Sequence, residues 1–76
     1  MLIPGHMSMG ENLPVGRFCH EQKLSVEIRN RMLSNGVQYT RAFDYISLHQ
    51  LEMMGLKCGE IAEMRAAVAQ WAVMPQ

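Results

Sequence analysis

Leu24-Ser25-Val26-Glu27-Ile28-Arg29-Asn30-Arg31-Met32-Leu33-Ser34-Asn35-Gly36-Val37 is the stretch on which the fold turns. Read with a period of two, it is a strand. Leu24, Val26 and Ile28 are apolar, and Ser25, Glu27 and Arg29 alternate with them. Asn35-Gly36 then reads as a hairpin turn, because a type I′ turn needs positive φ at both central positions. A two-residue loop there pairs Ser34 with Val37, Met32 with Tyr39, Asn30 with Arg41, Ile28 with Phe43 and Val26 with Tyr45. Nearly every large apolar residue falls on one face. Ser25, Glu27, Arg29, Arg31, Gln38, Thr40 and Asp44 fall on the other.

The same letters also fit a helix. Leu24, Ile28 and Met32 are spaced i, i+4, i+8, and Lys23–Glu27 and Glu27–Arg31 would be i, i+4 charge pairs. Ser34-Asn35-Gly36 would then be a C-terminal stop. The sorting of faces favours the hairpin. The expected fold is therefore α+β: an antiparallel β-hairpin or three-strand meander over residues 23–46, with Val15–Cys19 as the third strand, followed by two helices. The alternative is an all-α three-helix domain.

The two helices are read from their ends. Ser47-Leu48-His49-Gln50 fits a capping box, and Ile46 with Leu51 fits the matching hydrophobic staple. This predicts a helix over 48–54, closed by Gly55. A second helix over 60–72 carries Ile61, Met64, Val68 and Trp71 as an apolar stripe. Ala62, Ala66, Ala67, Ala69 and Ala72 add helix propensity, and Glu60 and Glu63 suit its N-terminal end. Pro75 marks the far end. The expected core is Leu24, Val26, Ile28, Met32, Tyr39, Phe43, Leu51, Ile61, Met64, Val68 and Trp71.

Seventy-six residues suit one domain. Residues 1–16 read as an irregular leader, punctuated by Pro4, Gly5, Gly10, Pro14 and Gly16, and residues 17–76 as a single small globular domain. Gly5-His6-Met7 resembles a vector-derived scar, which would make part of the leader foreign. Charged residues are 18% of the chain and the formal net charge is zero, a composition that favours association over mutual repulsion. Cys19 and Cys58 lie far apart in sequence and read as free thiols in a reducing compartment. No apolar run reaches the ~20 residues of a membrane span, and no signal peptide is recognisable, so the expected location is cytoplasmic.

No catalytic or metal site stands out. Cys19, His20, His49, Cys58 and His6 lack the close pairs that zinc sites use. Cys58 near a helix start has only His49 as a nearby base, with no carboxylate marked to orient it. The glycines match no phosphate-binding loop. No cofactor and no enzyme activity are expected.

Two patterns point to macromolecular partners. Leu48–Met54, Gly55-Leu56 and Glu60–Trp71 have a helix–turn–helix layout, yet acidic Glu60 and Glu63 open the helix that would read bases. Arg29 and Arg31, extended by Arg17 or Lys23, would form a basic hairpin face. Eight methionines are many for this length, and Met53, Met54 and Leu56 cluster where one helix cannot bury every apolar side. The reading is a small non-enzymatic protein-binding regulator or inhibitor of the bacterial or phage accessory kind. Its candidate partner-binding residues are Met53, Met54, Leu56, Arg29 and Arg31, and homodimerisation fits the same surface. The alternative is a nucleic-acid-binding transcriptional regulator using the helical pair or the basic hairpin face.

Overall fold

A computed structural model describes residues 2–74. Among them are four α-helices: α1 (Val15–Glu21), α2 (Val26–Ser34), α3 (Leu48–Met53) and α4 (Cys58–Trp71). A 3-10 helix, Thr40–Asp44, joins α2 to α3. No strand is present among the described residues. The α+β expectation is thereby overturned, and the all-α alternative fits, with one helix more than it expected. α2 replaces the first arm of the hairpin over 23–46, and the 3-10 helix replaces much of the second. Val15–Cys19, expected as a third strand, lies in α1. Pro75 falls outside the described residues.

The physical reason lies at Asn35-Gly36. Gly36 has φ +80, but Asn35 has φ −99, so the pair cannot be a type I′ turn. It is a helix cap instead. The Val37 N–H donates to the Met32 carbonyl at 3.0 Å, and the Gly36 N–H to the Leu33 carbonyl at 3.1 Å. These are the two bonds of a Schellman motif, and Val37 and Met32 are both buried, as its apolar contact requires. At the other end of α2 the Ser25 hydroxyl accepts the Ile28 N–H at 3.2 Å, so Ser25 is an N-cap rather than a strand residue. The apolar face of the hairpin reading also dissolves. Val26 is 59% exposed and Tyr45 82% exposed, and Tyr39 is exposed too. Ile28 and Met32, four residues apart, are fully buried. Val26 and Tyr39 thus leave the expected core.

The same cap closes α1 and α3. After α1, the Leu24 N–H donates to the Cys19 carbonyl at 2.8 Å and the Lys23 N–H to the His20 carbonyl at 3.2 Å, with Lys23 at φ +57. After α3, the Leu56 N–H donates to the Leu51 carbonyl at 3.2 Å and the Gly55 N–H to the Glu52 carbonyl at 3.0 Å, with Gly55 at φ +94. Each of α1, α2 and α3 therefore ends in a left-handed residue followed by an apolar one folded onto the core. α3 opens with a full capping box. The Ser47 hydroxyl accepts the Gln50 N–H at 3.1 Å, and the Gln50 side chain accepts the Ser47 N–H at 2.8 Å. Ile46 and Leu51 are both buried, as a staple requires.

At the centre, Phe18, Phe43 and Trp71 meet edge to face. Their ring centroids are 5.0, 5.4 and 6.2 Å apart. Ile28, Met32, Leu51, Met64 and Val68 complete the core, with Leu24 and Ile61 partly buried against it. Residues 2–14 form no helix, yet Leu2, Ile3 and Leu13 are core residues. The segment is tied down by backbone bonds. The Glu11 carbonyl accepts both the Trp71 indole N–H, at 2.7 Å, and the buried Thr40 hydroxyl, at 3.1 Å. That hydroxyl in turn accepts the Leu13 N–H at 2.9 Å. Single antiparallel bridges join Pro14 to Tyr39 and Ser8 to Val73.

Candidate functional site

The five partner-binding residues read from the sequence fall in different environments. Met53, in the last turn of α3, is 75% exposed. Met54 is half-buried and packs on the core. Leu56 is 5% exposed, because it is the apolar residue that seals the α3 cap. It belongs to the interior of the chain. Arg29 is half-buried, and its Nε has no hydrogen-bond partner. Arg29 lies near the thiol of Cys19, whose pKa is raised by burial and pulled back in part by the guanidinium charge. Arg31 is exposed.

On α2 Arg31 stands four residues after Glu27, but no ion pair forms between them. Among the described residues, the one Arg or Lys ion pair joins Arg17 to Glu21, and the His49 ring lies 3.9 Å from the Glu52 carboxylate. The Lys23–Glu27 pair is absent as well. The Arg31 guanidinium instead lies over Gly55 in the α3–α4 turn, where a Cβ would be 2.8 Å from its Nη1. The missing side chain at Gly55 makes that approach possible.

Around this crossing lies an open cleft of about 460 Å³, lined by Glu27, Asn30, Arg31, Ser34, Gly55, Lys57 and Glu60. Glu27, Asn30, Arg31 and Ser34 are spaced i, i+3, i+4, i+7 and so share one face of α2. Lys57 and Glu60 come from the start of α4. The Glu60 carboxylate accepts the Lys57 N–H at 2.8 Å, which holds it at the helix end. The Ser34 hydroxyl is turned back to the Asn30 carbonyl at 2.7 Å. The cleft thus presents two cations, Arg31 and Lys57, with no ion pair among the described residues, and two carboxylates, Glu27 and Glu60.

Sequence reasoning reached Arg31, and its helical reading placed Glu27 near it, but it missed the other residues of the cleft. Glu27, Asn30 and Ser34 become neighbours of Arg31 only once α2 is a helix. Gly55 and Lys57 lie between α3 and α4 in sequence, and only the tertiary packing brings them to α2.

A second groove, about 410 Å³, runs along α4 beside Ala62, Ala66 and Ala69, with Leu48, Leu2, Pro4 and Arg65 on its walls. The helix–turn–helix layout is present as α3, Gly55 and α4. The exposed residues of the first turns of α4 are Cys58, Gly59, Ala62 and Glu63, a poor set for phosphates or base edges. The basic hairpin face does not exist, since its hairpin does not. No group of three or more His, Cys, Asp or Glu among the described residues could hold a metal ion. Cys58 is exposed, and His49 directs its Nδ1 to Glu52 at 3.9 Å. No helix among the described residues is long and apolar enough to cross a membrane. No known protein family, curated protein or solved structure matches the chain.

Proposed function

We propose that this chain is a small protein-binding regulator that grips its partner at the cleft between α2 and the α3–α4 turn, with Met53 as an adjacent apolar anchor. One observation carries the reading. Arg31 lies against Gly55 in the α3–α4 turn with no ion pair among the described residues, and Met53, two positions before Gly55 in sequence, stands 75% in solvent. Arginine and methionine are enriched at protein interfaces. Glu27 and Glu60 in the same cleft would repel a phosphate backbone, and the zero net charge provides no long-range pull on nucleic acid. A protein surface carries both signs of charge and can match such a mixture.

The test is a pull-down from a bacterial lysate with tagged protein, with and without nuclease, run beside Met53→Asp and Arg31→Glu. The expected result is one stoichiometric protein that survives nuclease and drops about tenfold or more with either variant, as for a hot-spot residue. Both substitutions fall on exposed side chains, so circular dichroism should stay unchanged. A captured protein that both variants retain would move the interface elsewhere. Capture that vanishes with nuclease would instead favour a nucleic-acid-binding regulator using α3 and α4.

A further inference from the structure

We infer that the cleft takes a carboxylate, an acidic side chain of the partner seated between Arg31 and Lys57. This rests on the protein-binding reading and names the chemistry of the partner at that site. Three observations converge. Arg31 and Lys57 reach the cleft from α2 and α4, and neither has an ion pair among the described residues. Glu60, the carboxylate nearest in sequence to Lys57, is already engaged with a backbone N–H and is held at the helix end. Gly55, with no side chain, leaves room for the Arg31 guanidinium to approach the turn closely. A planar guanidinium and an ammonium lining one cleft suit a bidentate acceptor.

A carboxylate is favoured over phosphate because a protein partner presents its anions as aspartate and glutamate side chains. Glu27 and Glu60 line the same cleft with Arg31 and Lys57, so either anion meets both signs of charge there. Asn30 adds a neutral donor on the α2 side.

The experiment is an NMR titration of the full chain, following backbone amides and the arginine Nε–H signals. The probes are a blocked hexapeptide holding two glutamates beside a leucine, the same peptide with glutamines, and inorganic phosphate, all at one ionic strength. The expected result is saturable shifts at Gly55, Lys57 and Arg31 with the glutamate peptide. The apparent affinity should fall at least about fivefold with the glutamine peptide, and equally in Arg31→Gln or Lys57→Gln. The indole signal of Trp71, in the distant core, should stay fixed and report an intact fold. No shift at these residues, or phosphate binding as tightly as the peptide, would overturn the inference. So would a pull-down in which Met53→Asp releases the partner while Arg31→Gln and Lys57→Gln retain it, an outcome that leaves the protein-binding reading standing.

Discussion

Single residues carry much of the constraint in so short a chain. Gly10 lies against Trp71, where a Cβ would overlap the Trp71 carbonyl oxygen and sit 2.9 Å from its Nε1. Backbone atoms cannot swing aside as a flexible side chain can, so Gly10→Ala must separate the leader from α4. Overpacking of this kind costs ~1–3 kcal/mol. For a domain this size each kcal/mol is worth about 4–8 °C in Tm, so thermal melts resolve it easily. Gly5→Ala is the control, since nothing lies within 4 Å of its Cβ position, and its Tm should not move. Cys19 allows a prediction in pH. Burial raises its thiol pKa above the value in the unfolded chain, and the Arg29 charge offsets only part of that. The folded state therefore favours the protonated thiol. The resulting stability is full below the unfolded thiol pKa and is lost as pH rises through the folded one. Urea midpoints should fall in the alkaline range, and Cys19→Ala should remove that component of the fall. In the native protein a thiol reagent should label exposed Cys58 quickly and buried Cys19 only through unfolding.

At the scale of elements, three helices share one C-terminal device with different residues in its left-handed position. Gly36 and Gly55 adopt positive φ without strain, while Lys23 adopts φ +57 with a side chain attached. Two substitutions should therefore act in opposite directions. Lys23→Gly should relieve left-handed strain and raise stability by roughly 0.5–1 kcal/mol, net of glycine's added freedom in the unfolded chain. Gly36→Ala should lower it by roughly 1 kcal/mol. Chemical denaturation of both variants checks this, and a fall with Lys23→Gly would mean that its side chain contributes more than its backbone costs. The shared device also explains what was legible. α3 was readable from its capping box and staple, which are local, and α4 from its apolar stripe and terminal glutamates. α2 was not, because Asn35-Gly36 serves a hairpin or a helix cap, and the sign of φ at Asn35 decides between them. The alternation of Leu24, Val26 and Ile28 misled for a related reason: Val26 faces water, so only Ile28 and Met32 carry the true period. The cleft was half visible. Arg31 stood out as a charge, but its place against Gly55 depends on how α2 and the α3–α4 turn pack.

For the whole molecule, the leader decides whether the four helices form a stable unit. A chain of 76 residues is expected to have roughly 4–11 kcal/mol of stability. Leu2 and Ile3 are buried in the core, and each such side chain contributes ~1.5–3 kcal/mol. The Ser8–Val73 bridge fastens the same segment to the end of α4 through bonds of 2.8 and 3.0 Å. Removing residues 1–9 therefore takes away roughly 3–6 kcal/mol of apolar burial, a large part of what holds the domain together. It also uncovers the side of α4 that Leu2 and Pro4 flank. The shortened chain should unfold at a much lower urea concentration, with a smaller m-value because less surface is exposed on unfolding. Its Trp71 indole N–H, bonded to Glu11 beyond the cut, should remain protected from hydrogen exchange in the fraction that still folds. An unchanged urea midpoint would mean that the leader packs on the domain without supporting it. The helices alone would then hold α2 against the α3–α4 turn and keep the cleft between them.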